Sequence, residues 1–94
     1  MTTISTDKFF FSWRTEHGVP HVVHFYVKCQ ERSYTTSRQC AKFMVNYFRL
    51  RGNKQIIVNT LLRRPYLSKI VEWFFRVKPY ATQDGHNFYL VEVN

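Results

Sequence analysis

Ninety-four residues, 45% apolar with nine Phe, six Tyr and two Trp, describe one domain (residues 1–94) with a modest core. The net charge of +8 is concentrated: Lys28 to Lys78 hold twelve Lys and Arg against two acids, Glu31 and Glu72, a local balance of +10. No apolar run approaches the roughly 18 residues of a membrane span, and no signal-peptide pattern precedes Lys8, so an intracellular location is expected, or a host cell for a viral protein.

Residues 1–8 are polar and are expected to be a short floppy tail. Phe9–Thr15 is aromatic and weakly alternating, which predicts a strand. Glu16 to Pro20 is a turn cluster. His21–Gln30 alternates, with Val23, Phe25, Val27 and Cys29 on one face and His24, Tyr26, Lys28 and Gln30 on the other, so a half-buried second strand closes a hairpin. Thr36–Arg51 reads as a helix. Thr36 and Gln39 fit a capping box, Cys40, Phe43, Met44, Tyr47 and Phe48 form its apolar stripe, and Gly52 follows its end. Gln55–Thr60 is a β-branched strand. A second helix opens at Pro65 with Leu67, Ile70, Val71, Phe74 and Phe75 inward, an expected Glu72–Arg76 pair outward, and Pro79 as its stop. Thr82 to Gly85 is a turn, and His86–Val93 has strand propensity. The order predicts an α+β fold of two layers, a small and mostly antiparallel sheet with two helices packed on one face.

The chain offers almost no catalytic constellation. Six acids are scattered without a pair for acid–base or metal work, no glycine-rich phosphate loop exists, and Cys29 and Cys40 form no metal or disulfide pattern. His17, His21 and His24 lack motif spacing for a metal. Neither catalytic residues, nor a metal, nor a cofactor is expected. The better constellation is the polar strand face. His24, Tyr26, Lys28 and Gln30, with Arg14 and Arg32 beside them and Gln55 and Asn59 from the third strand, are residue types that stack on bases or bond to them and to phosphates. Arg63 and Arg64 just before a helix oppose its dipole unless an anion lies close. These ten residues are the expected contacts of a non-enzymatic DNA- or RNA-binding protein. The alternative is a small viral or phage inhibitor or an accessory subunit, with Tyr66, Trp73 and Tyr80 as protein-contact anchors. A homodimer or a larger partner would supplement a core this small, and no membrane partner is expected.

From Val58-Asn59-Thr60 through Leu67, Ile70, Val71, Phe74, Phe75, Pro79, Thr82, Gln83 and Phe88, the chain resembles the closing part of a LAGLIDADG homing-endonuclease repeat. Phe25, Val27, Gln30, Tyr47 and Phe48 are similar to the strand and helix before it. The family's metal-binding acidic helix has no counterpart ahead of the first strand. The resemblance therefore implies a retained saddle-shaped sheet that binds nucleic acid without cutting it. The same element order is also similar to Alba-type nucleic-acid-binding proteins, in which Lys28 to Arg38 and Arg63–Arg64 would be the contacting loops.

Overall fold

The computed structural model describes residues 1–28 and 33–93. In chain order the elements are β1 (Thr2–Ser5), β2 (Phe9–Glu16), β3 (Val19–Val27), α1 (Tyr34–Leu50), β4 (Gln55–Leu61), α2 (Pro65–Phe75), β5 (Ala81–Gln83) and β6 (His86–Glu92). The six strands make one sheet in the order β1-β2-β3-β4-β6-β5. Every neighbouring pair is antiparallel except β3 and β4. Those two are joined through α1, and a strand–helix–strand crossover returns the chain in the same direction.

The expected two-layer α+β architecture is present. Phe9, Phe11 and Trp13 of β2, Val22, Phe25 and Val27 of β3, Ile56 and Val58 of β4, and Tyr89 and Val91 of β6 form one buried face. Cys40, Met44 and Phe48 of α1 and Leu67 and Val71 of α2 complete the same core. The other sheet face carries no helix among the described residues.

Several local expectations change. The tail does not stay loose: Thr2–Ser5 pairs with Ser5↔Phe10 through Thr2↔Trp13, and the Thr3 and Ser12 hydroxyls bond at 2.8 Å. Its Thr and Ser residues hid a polar edge strand that reads as a tail by hydropathy. α1 begins earlier than Thr36, because Ser33 is its cap and accepts from the Thr36 amide at 3.0 Å. Two hairpins turn tightly, at His17–Gly18 and Asp84–Gly85, where both residues have φ between 52° and 78°, the signature of a two-residue turn matched to strand twist.

α2 ends at Phe75, ahead of Pro79, because Arg76 takes the left-handed conformation with φ 55°. Glu72 accordingly pairs with Lys78 at 3.5 Å and not with Arg76. A side chain in that conformation costs about 1 kcal/mol that glycine avoids. Arg76→Gly is therefore expected to raise the thermal midpoint by about 4–8 °C in a circular-dichroism melt. An unchanged or lower midpoint would show that the arginine's own contacts outweigh the strain.

One irregularity shapes the molecule. Trp13 lies opposite Val22, and Ser12 lies opposite His24, so β3 carries one extra residue, Val23, against β2. Such a bulge bends the strand and interrupts pairing. It also reverses the inward parity along β3: Val22 is buried before it, Phe25 and Val27 after it, and Val23 is only half-buried. The expected inward row of Val23, Phe25 and Val27 therefore holds only for its last two members.

Candidate functional site

The parallel β3–β4 ladder registers His21↔Ile57 and Val22↔Val58 and extends no further, although both strands continue, β3 to Val27 and β4 to Leu61. The ladder stops at the bulge. Between the two strands lies a cleft of about 280 Å³. Val23, His24, Phe25 and Tyr26 line it from β3, and Asn59, Thr60 and Leu61 from β4. Arg63, Arg64 and Leu67 close its α2 end, and Phe10 and His86 stand at its open-face side.

Each wall is fixed by bonds that the sequence sets up locally. Asn59 and His86 sit on the open face of β4 and β6, and Asn59 Oδ1 lies 2.7 Å from His86 Nδ1. The amide oxygen accepts, so Nδ1 carries the proton. Phe10 and Tyr26 pack ring to ring at 5.5 Å beside them. On the helix side, Thr60 and Ser68 hydroxyls bond at 2.7 Å and tie β4 to α2. Asn87 Nδ2 donates to Ser68 Oγ at 3.4 Å, and Tyr89 Oη donates to the Glu72 carboxylate at 2.6 Å. Burial, then the Glu72 carboxylate, raises the Tyr89 phenol above its ordinary value and keeps it a donor.

The cleft is electropositive. Among the described residues its lining contains Arg63, Arg64, His24 and His86 and no carboxylate. The first turn of α2 has Pro65 at its start and no side-chain cap on Arg64, so helix amides add to the positive end. The chemistry available is binding of an anion or of a polarised carbonyl, together with a histidine whose tautomer is fixed. Cys40 contributes nothing reactive, since burial pushes its thiol up to about 12.

Of the ten residues expected to make contacts, the fold brings five together here: His24, Tyr26, Asn59, Arg63 and Arg64. Arg14 is elsewhere, paired with Glu16 at 2.7 Å near the β2–β3 turn. Lys28 is occupied, its Nζ donating to the Thr6 carbonyl at 2.6 Å. Gln55 opens β4 opposite Glu92, at the strand end remote from Leu61. Gln30 and Arg32 lie outside the described residues. Val23 and His86 were missed. His86 stands in the sequence as an ordinary strand start, and nothing short of the pairing of β4 with β6 places it beside Asn59.

A larger concavity, about 580 Å³, lies between the helices and is lined by Tyr34, Tyr66, Lys69, Ile70, Glu72, Trp73 and Lys78. Tyr34 and Trp73 meet edge to face at 4.8 Å, and the Tyr66 hydroxyl bonds Ser37 at 2.5 Å. Two of the expected protein-contact anchors, Tyr66 and Trp73, are thus in one groove, while Tyr80 packs by Phe88 on the open face, 6.4 Å between centroids. Among the described residues no cluster of three His, Cys, Asp or Glu is placed to hold a metal, and no helix is long and apolar enough to cross a membrane.

No known protein family and no curated protein matches this chain in sequence. In structure it is similar to a GNAT-family acetyltransferase from Listeria monocytogenes 4b F2365, at a TM-score of 0.66 and 10% identity over 90% of this chain. The chain spans 57% of that protein's length. The fold is thus GNAT-like, and the resemblance to LAGLIDADG and Alba proteins is overturned. The apolar spacing of Leu67, Ile70, Val71, Phe74 and Phe75 carried that resemblance, and such spacing is common to helices packed on a sheet. The expectation of a non-catalytic DNA- or RNA-binding protein and the expectation of no enzymatic role are corrected by the same finding. The basic block is no single patch either: Arg38, Lys42 and Arg49 are exposed on α1, whereas Arg63 and Arg64 stand at the cleft.

Proposed function

We propose that the chain is an acetyl-transfer domain that holds an activated acetyl donor in the β3–β4 cleft and passes the acetyl group to a nucleophile. The observation that carries this reading is the cleft itself. It opens at the one parallel strand pair of the described sheet, in a fold similar to that of an acetyltransferase. Fold likeness alone assigns no chemistry, so the support has to come from the site. Strand edges that part after Val22 and Val58 leave backbone donors and acceptors facing a gap. An extended, amide-bearing donor arm inserted there would complete the ladder in the manner of an added strand. The amides that begin α2, with Arg63 and Arg64, supply positive potential where the thioester oxygen gains charge.

Acetyl-coenzyme A is the natural probe, since coenzyme A is a general acyl carrier. Calorimetric titration is expected to give saturable binding, and incubation with a mixture of amines is expected to release free coenzyme A thiol faster than buffer does. Absence of saturable binding would remove the reading.

A further inference from the structure

We infer that His86 is the group that takes the proton from the attacking nucleophile, which enters from the open face of the sheet. The inference rests on the acetyl-transfer reading of the cleft and adds a residue role to it. The helix face of the cleft is closed by the core, with Leu67 and Val71 of α2 buried and Ser68 bonded to Thr60. The open face carries no helix among the described residues, so an acceptor reaches the cleft beside Asn59, His24, Tyr26 and His86.

His86 is prepared for this task by its neighbour. The Asn59 amide oxygen, 2.7 Å away, holds the proton on Nδ1. In the neutral ring the lone pair is therefore on Nε2. The arrangement follows the logic of a base oriented by a third group, with an amide in place of a carboxylate. An amide fixes the tautomer without adding negative charge, so the protonated ring receives no ion-pair stabilisation from it. Among the described residues, the other titratable or charged groups that line the cleft are His24 and Tyr26 from β3 and Arg63 and Arg64 from the turn before α2. Among the described residues no carboxylate lines it, and the imidazoles of His24 and His86 are the lone-pair bases of the lining. His24 is exposed and on the opposite wall, whereas His86 is half-buried and held.

The step balances as follows. With an amine as the probe nucleophile, its nitrogen attacks the thioester carbonyl carbon, forming the C–N bond as Nε2 of His86 removes the nitrogen's proton. The C–S bond then breaks, the thiolate leaves with the electron pair, and the His86 imidazolium returns the proton to it. Amide, free thiol and neutral His86 are the products, and no further reactant is consumed.

The test compares the parent with His86→Gln, whose amide takes up no proton, and with His21→Gln, outside the cleft lining, as the control. His86→Gln is expected to bind acetyl-coenzyme A as the parent does and to lower kcat roughly a hundredfold or more. His21→Gln is expected to keep both binding and kcat. Full kcat in His86→Gln, in a protein that binds the donor, would overturn the role of His86 alone. A parent that binds no acetyl-coenzyme A would overturn the cleft reading and this role with it. Nitrogen-15 spectra of the parent give a check independent of any variant. The neutral His86 ring is expected as the Nδ1–H tautomer, and the Nε2–H tautomer would overturn the proposal.

Discussion

Phe11→Ala is expected to bring the protein close to unfolding. Phe11 is fully buried in the middle of β2, with ring centroids of Trp13 at 5.6 Å and of Phe43, Tyr47 and Phe48 each at 6.0 Å. Removing such a ring costs about 3–5 kcal/mol, through lost transfer energy and the cavity left behind. A domain of this size is stable by about 5–15 kcal/mol in total. The surrounding rings are held by one another, Trp13 against Phe48 at 5.1 Å and Tyr47 against Phe48 at 5.2 Å, so the hole closes poorly. Urea denaturation would show the midpoint falling by about 1–3 M with little change in slope. A shift of less than about 0.5 M would mean that the cluster relaxes into the space, and that β2 is not the spine of the fold.

The consequence reaches the site, because β2 is the template on which the β3 bulge is measured. Phe11 pairs with Phe25, and Trp13 with Val22, and these two fixed contacts span three residues of β3 where a regular ladder allows two. The core thereby holds the irregularity in place. Burial on both sides of Val23 leaves the chain no alternative register, since a slip by one residue would turn Val22, or Phe25 and Val27, away from the helices.

How much of this was legible depended on the kind of signal. Periodicity carries α1 and α2, whose apolar rows have helical spacing, Cys40, Met44 and Phe48 for example, and aromatic or β-branched propensity carries β2, β4 and β6. It could not carry β1, whose threonines and serine are polar and whose partner is supplied by the fold. Nor could it reveal the bulge. Val22 and Val23 are the same residue type, so an alternation starting at Val23 looks unbroken through Phe25 and Val27. The parallel pair was legible in principle, because strand–helix–strand order demands a crossover. The polar residues His24, Tyr26 and Asn59 stand out in the sequence by type, and the fold brings all three to the cleft. Their composition fits bases, phosphates or an acceptor amine alike, and only the gap between β3 and β4 separates a surface from a cleft. The charge count says least about placement. Arg14 pairs with Glu16 and Lys28 with the Thr6 carbonyl, contacts that a count of cations cannot reveal.

Deleting Val23 is expected to close the cleft while leaving the core whole. With that residue absent, Val22 and Phe25 become two positions apart, and the inward row runs through Pro20, Val22, Phe25 and Val27 without interruption. The present pairings Trp13↔Val22, Ser12↔His24 and Phe11↔Phe25 then belong to a regular ladder. A straight β3 can follow β4 past Val58, so that the edges now facing the cleft bond to each other, each recovered bond contributing about 1 kcal/mol. The variant is expected to melt no lower than the parent. Its affinity for acetyl-coenzyme A is expected to fall by about tenfold or more, a loss of at least ~1.4 kcal/mol. Calorimetry and a thermal melt on the same sample read both quantities. Unchanged donor affinity would mean that the bulge does not open the site. A collapse in stability would mean instead that the bend in β3 is needed to seat α1 and α2. Higher stability with lost binding is the pattern of a feature kept for function against the preference of the fold, and Val23 is the residue in this chain where that opposition is most exposed to measurement.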